Sequence, residues 1–168
     1  VTGVQTCALP IYCWKEKGHG WVSLKNAMKQ SCDTYFYEVA RLLGVDRLNK
    51  TAEKFGLGKK VLGDYFDNEK KGLFPNTVWK KNNLGKGWVL GETLITGIGQ
   101  GYTQTTPLQL CMMTAQIANG GYAIKPKIIV DSNPISYEDA KQSMESGLLL
   151  DRKSTRLNSS HLVISYAV

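Results

Sequence analysis

Ser31-Cys32-Asp33 is the tripeptide in this sequence best suited to chemistry. It sets a hydroxyl and a carboxylate two residues apart in a short polar break between two helical stretches. Such a break can project both groups into a cleft, where they would relay protons or hold a substrate in place. Ser and Asp are also good helix caps, so capping of the following helix is the alternative reading. Cys32 belongs to a second set as well. Cys13, His19 and Cys32 follow the spacing Cys-x5-His-x12-Cys. Thiolate and imidazole suit Zn²⁺, and structural zinc takes four ligands. Gly18 and Gly20 flank His19 and let the backbone bend to aim its ring. The alternative is two inert buried thiols and a turn histidine, because the spacing is that of no standard zinc module. In Ile98-Gly99-Gln100-Gly101 the glycines serve backbone geometry and Gln100 ties the turn. Glu92 and Asp64 have no partner at a recognisable spacing, so a paired-carboxylate hydrolase is not supported.

The elements around these residues are mostly helical. Ser23 reads as the N-cap of a helix over 24–30, with Leu24, Ala27 and Met28 on one side. A second helix over 33–43 carries Phe36, Val39, Ala40 and Leu43 at i, i+3, i+4 and i+7, and Gly44 ends it. Asp46 reads as the cap of a third helix, 46–55, with Leu48, Ala52 and Phe55 inward and Gly56 as its stop. Residues 57–91 hold seven glycine or proline punctuators and no sustained period. They read as a solvated loop, anchored by Trp79 and Trp88. Thr106 and Pro107 open a helix over 107–118, whose stripe is Leu108, Cys111, Met112, Ala115 and Ala118. Tyr122 to Val130 suggests a strand, demoted to an edge or interrupted by Pro126.

At 168 residues the chain is one modest domain, and its 42% apolar and 21% charged content is ordinary for a globular protein. No stretch approaches the ~18 apolar residues of a membrane span. The four cysteines are too few for a disulfide scaffold. Seven lysines between Lys59 and Lys86, interleaved with tryptophans, could suggest a single-stranded nucleic-acid surface. No nucleic-acid-binding motif accompanies them, so no nucleic-acid partner is expected.

The ends read differently from the middle. Residues 1–11 and 151–168 carry neither helical nor strand periodicity joined to a turn signal, and they resemble translated sequencing-adapter read-through. They are expected to be non-native scars around a partial domain over 12–150, with genuine frayed termini as the alternative. Cys7 falls in the first scar. The formal charge of +7 drops to +4 without 152–168, so a strongly basic surface is no argument for function.

Cys13 to Leu43 resembles the transpeptidase domain of class B penicillin-binding proteins. Ordered likeness continues through 44–58, 71–81, 87–110 and 118–128. The family signature is S-x-x-K, S-x-N and K-[ST]-G. Ser31-Cys32-Asp33 aligns with the middle motif, with Asp where Asn is usual; elongation-specific members also show this variant. The other two motifs occur nowhere in the chain. The resemblance implies an α+β fold, here a partial transpeptidase (serine β-lactamase-like) domain represented mainly by its helical part. It implies an enzyme whose missing serine attacks a D-Ala-D-Ala carbonyl of a peptidoglycan stem peptide, forms an acyl-enzyme and crosslinks a second stem. β-Lactams would stall that intermediate. By the same resemblance Ser31 relays protons, Asp33 hydrogen-bonds the substrate, and no cofactor is required beyond a possible structural zinc. A cell-elongation glycosyltransferase is the implied partner. The parent would be anchored in the bacterial inner membrane and work on its periplasmic face. The chain alone is expected to be inactive and only marginally stable, since helices depend on tertiary packing. A noncatalytic helical interaction module derived from the same fold is the alternative.

Overall fold

A computed structural model describes residues 4–6, 13–63 and 66–126. Its elements run β1 (Val4–Thr6), β2 (Gly20–Val22), α1 (Leu24–Lys29), α2 (Asp33–Leu43), α3 (Val45–Lys54), α4 (Thr77–Leu84), α5 (Leu90–Gly97) and α6 (Pro107–Ala118). Cα packing divides the chain into two compact units. Among the described residues the first holds those up to Lys50 and Pro75–Thr103, and the second holds those of Thr51–Phe74 and of 104–126.

In the first unit, β1 and β2 pair antiparallel, with Val4 opposite Val22 and Thr6 opposite Gly20. The head segment thus supplies a strand, although its sequence lacks strand periodicity. Ser23 caps α1 as expected, accepting from the Asn26 N–H at 3.4 Å. Leu24 and Ala27 are buried, but Met28 turns outward. With Cys13, Val22, Cys32 and Tyr35 they form the core, against which Phe36 and Val39 pack. Along α2, Ala40 and Leu43 are buried as their spacing predicts, joined by Thr34, Tyr35 and Tyr37. Gly44 closes α2 at φ 75°, its N–H donating to the Ala40 carbonyl.

Helix α4 lies where the sequence reads as loop, and α5 starts at the end of that loop and runs through residues to which the sequence pattern assigns no element. Asn76 caps α4, its side chain accepting from the Trp79 N–H at 2.7 Å. Asp46, expected to cap α3, lies in that helix's first turn and instead accepts from the Thr77 N–H and Oγ1, both at 3.0 Å. Helix α5 packs on α2 through Gly97, where an added Cβ would collide with the Ala40 Cβ. Trp79 and Trp88 do act as anchors, both against the Tyr102 ring at 5.3 and 6.5 Å. Trp79 stands on α4, and Trp88 in the irregular stretch between α4 and α5.

The second unit is tied by side-chain amides. A Thr106–Gln109 capping box opens α6 with Pro107 at its first position. Gln109 is fully buried and donates to the Lys59 and Lys71 carbonyls at 2.7 and 2.9 Å. Gln116 donates to the Phe55 carbonyl and accepts from the Ile124 N–H. The stripe expected on α6 is corrected accordingly: Met112 is buried, but Cys111 and Ala118 are exposed. Leu73 and Gln104 form an isolated antiparallel bridge. Of the strand expected over 122–130, residues 123–126 have no regular structure and 127–130 lie outside the described residues. Asp64, Cys7 and the whole tail also lie outside them.

Candidate active site

Four helices end in the same hydrogen-bonded closure, in which two successive N–H groups reach back to carbonyls of the last turn. At the end of α3 these are Gly56 to Glu53 and Leu57 to Ala52. At α5 they are Gly99 to Thr96 and Gln100 to Ile95, and at α6 Gly120 to Ile117 and Gly121 to Gln116. The closure needs a left-handed residue just past the helix, and Gly56, Gly99 and Gly120 supply it at φ 89°, 77° and 90°. Helix α1 closes the same way, with Ser31 donating to Met28 at 3.3 Å and Cys32 to Ala27 at 2.9 Å. Here the left-handed residue is Ser31, at φ 49°. It is the one non-glycine with positive φ among the described residues. Side chains other than glycine disfavour that region by roughly 1–2 kcal/mol.

Neither Ser31 nor Asp33 caps α2. The N-cap is Cys32, whose side chain makes no capping bond, and Asp33 is the first helical residue. Ser31 is exposed, Asp33 half-buried and Cys32 fully buried between them. Ser31 opens onto a groove of about 680 Å³ shared with Trp14, Lys15, His19, Lys29 and Gln30. One turn along α2 sits Tyr37, whose hydroxyl pKa is raised by burial, by the Asp33 carboxylate and by Cys13.

The segment before β2 folds against this turn. Cys13 Sγ lies 3.4 Å from His19 Nδ1, and ligand atoms of Cys13, His19 and Cys32 all fall within 4.8 Å of one another. Both thiols are buried and His19 half-buried. Bonds of ~2.0–2.3 Å in a tetrahedral zinc site separate its ligands by under ~4 Å, so two thiols and an imidazole fit zinc by donor type, and a set spread over 4.8 Å would have to draw in around an ion. Trp14 lies edge-on to the His19 ring, at 5.4 Å between centroids. Its Nε1–H donates to the carbonyls of Gln30 at 3.1 Å and Ser31 at 3.0 Å. Nothing in the local sequence pattern marks Trp14, because its partners lie 16 and 17 positions away.

Glu92, which has no partner by spacing, has one in space. Lys80 Nζ lies 2.5 and 2.6 Å from its carboxylate oxygens, and Tyr102 donates to it at 3.4 Å. Lys80 is 4% exposed and also stands 5.7 Å over the Trp88 ring. Burial raises the Glu92 pKa, but the Lys80 hydrogen bonds and charge, the Val89 N–H and Tyr102 outweigh it and hold the group below its ordinary value. This pair joins α4 to α5. Gln100 ties its turn through its backbone N–H and has an exposed side chain.

Residues 3–156 match the family described as the penicillin binding protein transpeptidase domain. The chain is 43% identical over 116 residues to the peptidoglycan D,D-transpeptidase MrdA of Acinetobacter baumannii, covering 69% of this chain and 17% of that protein. It superposes on Pseudomonas aeruginosa PBP2, solved in complex with WCK 5153, with a TM-score of 0.67 at 40% identity; 88% of this chain and 36% of that one are covered. The TM-score is also 0.67, at 28% identity, with the PBP2 of Helicobacter pylori solved in complex with MreC, over 94% of this chain and 32% of that one. The chain therefore spans about a sixth of the length of the curated relative it matches.

Proposed function

Because the chain belongs to the penicillin-binding protein transpeptidase family, with MrdA-type PBP2 enzymes as relatives, we propose that it is part of a serine-type peptidoglycan D,D-transpeptidase. The observation that carries this reading is the Ser31 turn. A serine stands where three comparable helix ends use glycine, and a strained backbone of that kind persists when its side chain has work to do.

In this reading a serine outside the chain attacks the D-Ala-D-Ala carbonyl, with an S-x-x-K lysine as its base. D-Alanine leaves, and the acyl-enzyme is resolved by an amine of a second stem peptide. Ser31 relays protons between the family's two lysines and the leaving amine. Asp33 hydrogen-bonds the substrate peptide and orients it. Stem peptides and β-lactams are the ligands, and a cell-elongation glycosyltransferase is the partner. The complete protein is anchored in the bacterial inner membrane and works on its periplasmic face; no helix among the described residues is long and apolar enough to cross a membrane. Residues 1–11 and 151–168 remain proposed scars around the domain. The 168 residues alone do not acylate, because S-x-x-K and K-[ST]-G are absent from them.

The test begins with long-read sequencing of the source DNA across both ends, followed by penicillin labelling of the complete protein. S-x-x-K within ~100 residues upstream of Ser31 and K-[ST]-G within ~200 downstream of Asp33 are expected. The complete protein should label, and Ser31→Ala should slow labelling roughly 10²–10⁴-fold. A serine-linked penicillin adduct on the 168-residue chain itself would overturn the proposed inactivity. The same ends with neither motif would favour a binding module.

Cys13, His19 and Cys32 would hold a structural zinc, with a fourth ligand from outside these residues. The ion would brace the Ser31 turn from behind through Cys32 and supply no chemistry to the acyl transfer. Elemental analysis of the complete protein should find about one zinc per chain, lowered by Cys32→Ser. Stoichiometry near zero in the unmodified protein rejects the site.

A further inference from the structure

Trp14 is 67% exposed, yet its ring is held on two sides. The indole edge meets His19, and Nε1–H reaches two consecutive carbonyls, of Gln30 and Ser31. Those carbonyls belong to the two peptide groups that flank the Ser31 Cα. Fixing both peptide planes fixes φ and ψ of Ser31, and with them the direction in which its side chain leaves the backbone. The helix closure uses the N–H groups of Ser31 and Cys32 and leaves these two carbonyls outside it. At the other three helix ends glycine adopts the left-handed conformation without a side chain to aim.

We infer that Trp14 is a positioning residue for Ser31. Its single N–H locks the left-handed turn so that the Ser31 hydroxyl is presented in one orientation. The inference rests on the reading of Ser31 as the working hydroxyl. A ring this exposed gains little from burial, so its polar end is the part that matters. Trp21 provides an internal comparison: it is 69% exposed and lies in β2 nearby in the chain.

The direct test is Trp14→Phe in the complete protein, which keeps a ring and removes the N–H. Single-turnover acylation by a fluorescent penicillin should slow about tenfold, a loss of orientation, while the noncovalent dissociation constant stays the same. Trp21→Phe should leave both unchanged. In a Ser31→Ala background, Trp14→Phe should cost nothing further, because the hydroxyl it aims is already gone. An equal loss in both backgrounds, or no loss in either, overturns the inference while leaving the transpeptidase reading intact. Absence of any adduct on the unmodified complete protein instead rejects the transpeptidase reading. Should Trp14→Phe fail to fold, solvent exchange of the indole N–H in the unmodified complete protein decides. The Trp14 N–H should exchange more slowly than that of Trp21, and equal rates overturn the clamp.

Discussion

Ser31 occupies a backbone position that Gly56, Gly99 and Gly120 fill at the other comparable helix ends. Glycine there removes the left-handed penalty but loosens the unfolded chain, so Ser31→Gly should stabilise the fold by a net of roughly 0.5–1 kcal/mol. Chemical denaturation of the two proteins measures this, and lower stability in the glycine variant would mean that the surroundings favour serine for its own contacts. The same substitution should slow penicillin labelling of the complete protein, since the hydroxyl is lost. Stability and activity would move in opposite directions at one residue. How far the site was legible follows from the range of its interactions. Ser31, Asp33 and the Cys13–His19–Cys32 set stand out in the sequence because their types are rare in such spacing. The capping alternative fails only in three dimensions, where Cys32 turns out to be the N-cap. Trp14 was invisible, since one indole reaching across 16 and 17 residues leaves no periodic trace.

Helices α1, α2, α3 and α6 were readable because caps and stops bracket them. Helices α4 and α5 were not, and the reason is what they bury. The buried residue of α4 is Lys80, and α5 buries Thr93 and Thr96, so neither shows an apolar period. Polar interiors of this kind are sensitive to pH. The Glu92 carboxyl is held below its ordinary value, so its stabilising contribution is complete above the unfolded carboxylate pKa. It is lost as pH falls through the depressed folded value. Glu92→Gln removes that charge, leaves buried Lys80 less compensated and should cost about 2–4 kcal/mol at neutral pH. It should also flatten the acid limb of the stability curve, and an unchanged limb in denaturation series from pH 7 to 3 would assign acid sensitivity elsewhere. The α2–α5 contact makes a sharper steric prediction. Gly97→Ala pushes a methyl into Ala40 and should destabilise by about 1–3 kcal/mol. Gly91→Ala in the same helix meets nothing within 4 Å and should be neutral or slightly stabilising. Equal effects would mean that the helices separate readily enough to absorb the methyl.

Across the whole chain the two units are held together internally by different means. The first has an apolar cluster of Cys13, Val22, Leu24, Ala27, Cys32 and Tyr35. The second buries Ala52, Phe55, Leu57 and Met112 and is tied further by Gln109 and Gln116, whose amides satisfy loop carbonyls, while Leu110 and Ile117 on α6 stay 44% exposed. That arrangement explains why the buried face of α6 differs from its apolar stripe: the helix is apolar on several sides, and two glutamines face inward to satisfy carbonyls that no hydrophobic pattern reveals. Units of unequal cohesion should open separately, with the amide-tied one opening at lower free energy. Gln109→Met is close in volume but leaves the Lys59 and Lys71 carbonyls and the Thr106 N–H without their side-chain partner. It should destabilise the second unit by roughly 2–4 kcal/mol. Native-state hydrogen exchange on the 168-residue chain should then show faster exchange in 51–74 and 104–126, with protection in α1 and α2 unchanged. If protection instead falls equally in both sets of residues, the chain unfolds as one cooperative body and the two-unit account of its stability fails.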